Sequence, residues 1–476
     1  MKFYLHTWAV LFLFTSSLSV QAETKYPKGF TWGVAFSAHQ AEGNFGGGEF
    51  GDWWKFEHPP AGKKSPIGNG DNADIAVDHW HRYPEDIQLA KDLGTDSVRT
   101  SIAWEKVNPR PGEFNLAAIE HYQDVFKKMR EAGIRPMIAF QHFTHPQWFH
   151  DRGGWLSPES PKWFLDYATF VVDHLGKYCD LWIVQNEPMM LVIMAYLNPL
   201  MPPNLGSPEA AFESAYNMGR AYRMVATMIH RKQGRTTDAR GADGGLRGVG
   251  LANSLGYFEP ANPNSAKDRY AVQLMADWMN WDLQRGIITG HLKFTFPHSN
   301  PARIWEKDMP ARDLPADEFG PFFDWLGANY YSKSVVKYSS YKSNPIEFVS
   351  PPEQPADNWW PIYPQGMENI LRQFAERFPG YPLVVTENGL ADAKDRFRPA
   401  FIRDHLAAID RALFGSERGP ALDIRGYYHW SLFDNFEWLE GYKYRFGLVE
   451  IKYDQNLKRV TRPSFGVYRD EILKRK

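Results

Sequence analysis

The stretch LWIVQNEP, residues 181–188, joins the pattern of a buried strand to a carboxylate. Its first four residues are large and apolar, which is typical of a strand covered on both faces in a parallel sheet. The stretch then turns polar and reaches Asn186 and Glu187 before Pro188, which cannot extend a ladder of hydrogen bonds. Glu187 is therefore predicted at the rim of an apolar core, where desolvation raises the pKa of a carboxyl group. The alternative is an ordinary acidic residue at the start of a helix.

Seven further stretches begin apolar and turn polar toward their C-terminal ends. They are 30–43, 97–104, 135–143, 248–258, 323–332, 381–389 and 424–438. Helical spacing of apolar residues occurs between the stretches. It covers 84–94, 116–133, 161–178, about 208–232, 266–286, 365–377 and 399–414. This alternation predicts an α/β fold, a (β/α)8 TIM barrel whose polar strand ends meet at one mouth. A long doubly wound sheet is the alternative, and it would not bring all eight ends together.

Composition narrows the class of protein and of ligand. The chain has 476 residues and a formal net charge of −2, so neither nucleic acid nor an anionic membrane is a favoured partner. The 18 tryptophans exceed what a core alone needs, and tryptophan suits ligands with apolar faces, sugars among them. Two Pro-rich connections, 290–322 and 333–362, are predicted as long loops that build a substrate cleft at the barrel mouth.

The N-terminus has the pattern of an export signal. A lysine precedes a short apolar run over 8–14, and Val-Gln-Ala at 20–22 is a small-residue cleavage site. We therefore predict a signal peptide over 1–22 and one barrel domain over 23–476, exported to the periplasm or the medium without a membrane anchor. Cys179 is the single cysteine, so no internal disulfide is possible.

Two of the strand ends share one design. Glu187 closes one apolar stretch and Glu387 closes another, LVVTENG, each with an amide residue beside it. In a barrel these are strands 4 and 7, whose ends face the same mouth. Such a pair suits cleavage of a glycosidic bond, in which one carboxyl group is a general acid with a raised pKa and the other stays ionised and attacks the sugar.

Four motifs, in order along the chain, resemble those of glycoside hydrolase family 1, the β-glucosidase family. They are FTWGVAFSAHQAEG (30–43), QNEP (185–188), TENG (386–389) and WSLFDNFEWLEGYKYRFGL (430–448). The resemblance runs from Phe30 to about Asp454, which is nearly the whole chain after residue 22. It implies a retaining β-glycosidase that releases terminal β-linked sugars, most simply glucose, through a covalent glycosyl-enzyme intermediate.

The resemblance also implies a role for each matching position. Glu187 corresponds to the acid/base and Glu387 to the nucleophile. A second group is implied to bind the substrate. Its members are Gln40, His142, Asn186, Asn329, Tyr331, Trp430, Glu437 and Trp438. Within it, Asn186 is implied to bind the 2-hydroxyl group and Glu437 the 4- and 6-hydroxyl groups of the sugar.

Arg99 and Tyr331 are implied to support the nucleophile. A guanidinium beside Glu387 would lower the pKa of that carboxyl group, and a tyrosine hydroxyl would restrain it. Glu187 has no obvious cation and is predicted to stay protonated until Glu387 is esterified.

Other assignments stay open or are set aside. Two histidine pairs, His142 with His145 and His79 with His81, lack the spacing of a zinc site, so we predict no metal and no cofactor. A transglycosidase using the same intermediate and a non-catalytic sugar-binding protein are the alternative functions. The expected partner is a small carbohydrate or glycoside. The sequence does not rank glucose, galactose, fucose and mannose, and it leaves the aglycone and the oligomeric state undefined.

Overall fold

The computed structural model describes residues 25–234, 244–296, 303–318, 320–340, 345–351, 353 and 355–476. The predicted signal peptide lies outside the described residues. Within them, no helix is both long and apolar enough to cross a membrane.

Eight parallel strands form a closed barrel in which each strand pairs with its neighbours in the chain and the last pairs with the first. The strands are β1 (Thr31–Ala35), β2 (Ser97–Ser101), β3 (Arg135–Ala139), β4 (Leu181–Asn186), β5 (Gly248–Ser254), β6 (Trp325–Asn329), β7 (Leu383–Asn388) and β8 (Ile424–Trp430). Every one lies within a stretch predicted from the sequence. The (β/α)8 barrel is confirmed, and the doubly wound alternative is wrong.

Helices follow the strands and surround the barrel. They are α1 (His79–Asp92), α2 (Leu116–Glu131), α3 (Ser160–Leu175), α4 (Pro208–Gln233), α5 (Ala266–Ala276, the π-helical turn Asp277–Trp281 and Asp282–Thr289), α6 (Pro364–Arg377), α7 (Arg398–Phe414) and α8 (Pro463–Arg475). The first begins five residues earlier than predicted, because Pro84 lies within the helix and does not start it. The last was not predicted. Tyr468 on α8 donates a hydrogen bond of 2.7 Å to the carbonyl oxygen of Gly33 in β1, so α8 is bonded directly to the first barrel strand.

Short elements fill the connections. The short helices are Ala38–Glu42, Asp52–Glu57, Trp104–Val107, Gln147–Asp151, Pro188–Leu191 and the π-helical turn Val192–Leu197. The strands outside the barrel are Tyr257–Pro260, His291–Phe296, Arg303–Asp308, Lys333–Tyr338, Ile346–Val349, Val449–Lys452 and Lys458–Thr461.

The two connections predicted as long loops therefore contain strands. Lys333–Tyr338 pairs with both Ile346–Val349 and Tyr257–Pro260, which makes a three-stranded sheet. His291–Phe296 pairs antiparallel with Arg303–Asp308. This second pair packs on α4, where Tyr216 bonds the carbonyl oxygen of Asp308 at 2.9 Å. The described part of 290–322 contributes no residue to the lining of the catalytic cavity, whereas Trp360 in 333–362 does. That 290–322 builds part of the cleft stays a prediction.

The core has two layers because successive side chains of a strand point to opposite faces. In β4, Leu181 and Ile183 belong to the cluster inside the barrel, whereas Trp182 and Val184 pack outward against the helices. Trp182 stacks on Phe140 with the ring centroids 4.9 Å apart. Burial on both faces explains the continuous apolar run in LWIVQNEP, and it leaves the polar end of the strand directed at the barrel mouth.

Candidate active site

A cavity of about 230 Å³ opens at the C-terminal ends of the barrel strands. Both predicted carboxylates and seven of the eight predicted substrate-binding residues line it. These lining residues are Gln40, His142, Asn186, Glu187, Tyr331, Glu387, Trp430, Glu437 and Trp438. Asn329 and Arg99 are buried behind this surface and contact the carboxylates directly. The structure thus brings together every residue that the sequence analysis singled out for the site.

Glu387 is the penultimate residue of β7, and each of its carboxylate oxygens accepts a hydrogen bond. Arg99, from β2, donates to Oε1, and the hydroxyl group of Tyr331 donates to Oε2 at 2.5 Å. Burial, together with the charge of Glu387, raises the pKa of Tyr331 well above its ordinary value, so Tyr331 is a protonated donor. A buried ion pair and a second donor together hold the carboxylate of Glu387 in one orientation.

Glu187 follows β4 and adopts a left-handed backbone conformation, with φ at 44°. Such a conformation is uncommon for a residue with a side chain and is concentrated at functional sites. Its amide donates to the carbonyl oxygen of Ala252 at 2.7 Å, and its Oε1 accepts a bond of 2.9 Å from Asn329. Burial first, and then the charge of Glu387, raises the pKa of Glu187 from 4.5 to about 8. Glu187 therefore holds its proton at neutral pH.

A chain of hydrogen bonds joins the two carboxylates. Arg99 donates its second amino group to Oδ1 of Asn186, which also accepts from Asn329 at 3.3 Å. The amide nitrogen of Asn186 lies 3.2 Å from Nε2 of His142. Burial, and then the charge of Arg99, holds the pKa of His142 well below its usual value. His142 is therefore neutral, and Nε2 accepts the bond. Thr386 fixes Asn329 by donating to its Oδ1 at 2.6 Å.

Gln40 is held rigidly at the cavity floor. Its amide nitrogen donates to Oδ1 of Asn435 at 3.1 Å and to the carbonyl oxygen of Phe436 at 2.8 Å. Ser37 donates to its Oε1 at 2.8 Å. The bonds to Asn435 and Phe436 connect the segment after β1 with the loop after β8.

Glu437 presents a third carboxyl group to the cavity. Burial, and then the charge of Glu387, raises the pKa of Glu437 well above its ordinary value. Its Oε1 has no hydrogen-bond partner among the described residues. A buried, unsatisfied oxygen that lines a cavity is suited to a hydroxyl group of a ligand.

Aromatic rings form the wall beside these polar groups. His142 stacks between Trp430 and Trp438, with ring centroids 5.9 Å from each. The glycine of the TENG motif makes room for this wall. A Cβ atom on Gly389 would lie 1.8 Å from the carbonyl oxygen of Trp430.

The sequence analysis missed the apolar residues at the outer part of the cavity. They are Phe143, Met190, Met194, Met201, Trp360 and Phe446. Four methionines within thirteen residues after the QNEP motif, Met189, Met190, Met194 and Met201, were an available signal, but their spacing does not show which of them reach the cavity.

The histidine pairs have structural partners. His145 Nδ1 lies 3.0 Å from Asp52, and its Nε2 accepts from Trp155 at 2.9 Å. His79 Nδ1 lies 2.8 Å from Asp86. In the described part of the chain, potential metal ligands do not gather in groups of three or more.

Comparison with known proteins identifies similar sequences and structures. The model of Glycosyl hydrolase family 1 matches residues 22–476. A 1,4-beta-D-glucan glucohydrolase of Thermotoga neapolitana is 30% identical over 468 residues, which covers 94% of this chain and 98% of that protein. Beta-glucosidase A of Thermotoga maritima is also 30% identical over 468 residues, with the same coverage. A solved structure of a family 1 β-glucosidase from Thermotoga maritima has a TM-score of 0.79 and 28% identity, covering 95% of this chain and 99% of that chain.

Proposed function

The chain belongs to glycosyl hydrolase family 1 and is a retaining β-glycosidase, and from this premise we propose that it removes terminal β-D-glucosyl residues, with Glu387 as nucleophile and Glu187 as acid/base. Two of the relatives, a glucan glucohydrolase and a β-glucosidase, support glucose as the sugar. The contrast between the two carboxyl groups carries the assignment of roles. Glu387 is hydrogen-bonded to the guanidinium of Arg99 and the hydroxyl group of Tyr331, whereas the pKa of Glu187 is raised to about 8.

In the first step, a carboxylate oxygen of Glu387 attacks the anomeric carbon and forms an ester bond. The bond between that carbon and the glycosidic oxygen breaks, and the proton of Glu187 moves to the departing oxygen. The developing positive charge on the sugar is next to an anion, which stabilises the transition state electrostatically.

In the second step, water attacks the anomeric carbon and the ester bond to Glu387 breaks. Glu187 accepts the proton of that water. The coupling between the two carboxyl groups supports this role, because the charge of Glu387 that raises the pKa of Glu187 is absent in the ester. The same group thus serves as acid and then as base.

Binding of the sugar ring is assigned to the polar side chains on the cavity floor. We assign the 2-hydroxyl group to Asn186, which Arg99 and His142 hold. We assign other hydroxyl groups of the ring to Gln40 and to the oxygen of Glu437 that has no partner among the described residues. These groups suit either configuration at the 4-hydroxyl group, so the sugar has to be ranked by experiment.

The first experiment measures nitrophenol release from β-glucoside, β-galactoside, β-fucoside, β-mannoside, α-glucoside and 6-phospho-β-glucoside. We expect turnover of unphosphorylated β-glycosides, with the highest kcat/KM for the glucoside. A galactoside or mannoside that exceeds the glucoside would overturn the choice of sugar. No turnover of any β-glycoside by folded protein would favour the sugar-binding alternative.

A second experiment tests the nucleophile. A 2-deoxy-2-fluoro-β-glucoside with a good leaving group should slow hydrolysis of the intermediate and leave the sugar attached to Glu387. Mass spectrometry of peptides locates the label. Attachment at another residue would contradict the assigned role.

Export remains part of the proposal. The lysine, apolar run and cleavage site within 1–22 support a signal peptide. Expression of the full chain followed by cell fractionation and N-terminal sequencing tests it. We expect exported protein that begins at Glu23. Cytoplasmic protein that retains residues 1–22 would show that no signal is processed.

A further inference from the structure

His39 is buried next to two residues of the catalytic cavity. It lies on the short helix Ala38–Glu42, directly before Gln40, and its side chain is 4% exposed. Its ring is nearly parallel to the ring of Trp438, with an angle of 10° between the planes and 5.6 Å between the centroids. Gln40 and Trp438 both line the cavity, whereas His39 does not. His39 therefore supports the cavity wall from behind.

Glu57 fixes the orientation of the His39 ring. Its Oε1 lies 2.6 Å from Nε2 of His39, and its Oε2 accepts a bond of 2.9 Å from the amide of Ala73. The side chain of Glu57 is fully buried. Because a backbone donor holds one carboxylate oxygen, the other oxygen has a fixed position, and so has the imidazole bonded to it. The short contact is typical of a hydrogen bond between charged groups.

The surroundings of His39 favour its charged form. Burial acts to lower the pKa of His39, but the charge and hydrogen bond of Glu57, with smaller contributions from Glu105 and Asp52, raise the pKa above its ordinary value. The other buried acids near His39 each have a different partner. They are Asp52 with His145 at 3.0 Å, Glu42 with Lys106 at 2.7 Å and Glu105 with Thr144 at 3.2 Å. Glu57 and His39 therefore form a buried ion pair against Trp438, and an indole ring attracts a cation at its face.

Trp438 depends on such support. Its backbone has a φ of 52°, in the left-handed region that bulky side chains avoid. Four aromatic side chains surround the indole. They are His39, Trp53 at 4.7 Å, Phe143 at 5.2 Å and His142 at 5.9 Å between centroids. Trp53 lies four residues before Glu57 on the short helix Asp52–Glu57, so one face of that helix both packs on the indole and holds the imidazole.

A second buried pair shows the purely structural alternative. Nδ1 of His79 lies 2.8 Å from Asp86, and the two side chains are 5% and 1% exposed. The ring of His79 packs on Phe36 and Phe433, with centroids at 4.7 and 6.1 Å, and none of these four residues lines the catalytic cavity. The two pairs are alike in chemistry and burial, but the stacking partner of His39 is part of the cavity wall.

We propose that His39 is a positioning residue for sugar binding, which together with Glu57 keeps the indole of Trp438 in the orientation that lines the catalytic cavity. The proposal rests on the proposed function, because it concerns the cavity in which Glu187 and Glu387 act. The bonds that orient these two carboxyl groups come from other side chains. Loss of His39 should therefore weaken binding of the sugar and affect bond cleavage much less.

His39→Gln is the first test. The values of kcat and KM are measured with nitrophenyl β-glucoside. The dissociation constant of phenyl 1-thio-β-D-glucoside is measured by calorimetry, since the sulfur linkage resists hydrolysis. We expect KM and the dissociation constant to rise by about threefold to thirtyfold, the range for a lost contact between a cation and an aromatic ring, while kcat changes by less than about twofold.

Glu57→Gln is the second test and should produce a similar rise, because the imidazole loses the carboxylate that orients it. The double variant should bind the thio-glucoside no more weakly than the weaker of the single variants, since the two side chains act as one unit. If one of the two single variants fails to fold, KM and kcat of the other still decide the matter.

His79→Gln is the matched control. It removes the histidine of a buried pair of the same kind, so thermal unfolding followed by circular dichroism should show a lower midpoint, as in His39→Gln. Its KM, kcat and dissociation constant should stay at the values of the original chain. The contrast separates positioning of the cavity wall from a general loss of stability.

The outcomes separate the two proposals. Unchanged KM and dissociation constant in folded His39→Gln, a loss confined to kcat, or an equal rise of KM in His79→Gln overturns the positioning role. Full additivity of the two changes in the double variant overturns the pair with Glu57 as its basis. Failure of the original chain to hydrolyse any β-glucoside counts against the proposed function instead, since the dissociation constants still measure the positioning role.

Discussion

Arg99 binds the carboxylate of Glu387 with one amino group and the side-chain oxygen of Asn186, the neighbour of Glu187, with the other. The cation is thus paired directly with one catalytic carboxylate and only indirectly with the other. Glu387 keeps a counter-charge, whereas the pKa of Glu187 is raised to about 8. The difference supports the proposal that Glu187 is the acid.

The first prediction concerns this coupling. In Glu387→Gln, the pKa of Glu187 should fall from about 8 toward its ordinary value, because removal of a nearby negative charge favours ionisation and leaves Arg99 without its partner. Infrared or carbon NMR titration of the carboxyl groups measures it. Glu437→Gln is the matched control. It removes a carboxyl group whose own pKa is raised well above the usual value, so it should leave Glu187 near its original pKa. Equal effects of both variants would contradict the assigned coupling.

The second prediction concerns pH dependence. The first step needs protonated Glu187, so kcat/KM should fall above pH about 8, roughly tenfold per pH unit, as that proton is lost. In Glu187→Ala this alkaline limb should be absent when a dinitrophenyl glucoside is the substrate, because its leaving group needs no proton. Hydrolysis of glycosides with poor leaving groups should fall by about a hundredfold to ten-thousandfold, and azide should partly restore turnover of the activated substrate. An alkaline limb that persists in the variant would assign it to another group.

The third prediction concerns Tyr331. Tyr331→Phe removes the bond of 2.5 Å to Glu387 and should lower kcat/KM by about tenfold to a hundredfold, which is the range for a hydrogen bond to a charged group. Tyr330→Phe is a close control, since the neighbouring hydroxyl group is also buried but donates to the carbonyl oxygen of Tyr363 at 2.7 Å. It should reduce stability and leave kcat/KM nearly unchanged. Similar kinetic losses in the two variants would indicate a general packing effect.

The sequence predicted the inner part of the site because the barrel itself positions it. Glu187 directly follows β4 and Glu387 is the penultimate residue of β7, and the C-terminal ends of parallel strands in a barrel lie at one common edge. Trp360 and Met194 could not be located in this way, since they lie in connections whose path depends on contacts made only in the folded chain. Helix α8 was missed although the sequence carries a helical pattern there. Phe465, Tyr468 and Ile472 have helical spacing, follow the last recognised motif and are buried in the structure.

The fourth prediction concerns Gly389 and the wall of the cavity. In Gly389→Ala the new Cβ atom would lie 1.8 Å from the carbonyl oxygen of Trp430, and backbone cannot yield as the end of a flexible side chain does. Displacement of Trp430 would disturb its stacking on His142 at the cavity wall. We expect the free energy of unfolding to fall by about 2 kcal/mol or more, as in overpacked cores, and KM for glucosides to rise.

Gly466→Ala provides the opposite case in the same chain. A Cβ atom there has no atom within 4 Å, and the residue lies in α8. Alanine should therefore raise the free energy of unfolding by about 0.5–1 kcal/mol, because it loses less conformational freedom on folding than glycine does. Urea unfolding followed by circular dichroism compares the two variants with the original chain. If Gly389→Ala unfolded at the same urea concentration as Gly466→Ala and kept its kcat/KM, the close approach of Trp430 to Gly389 would not be what keeps the cavity wall in place.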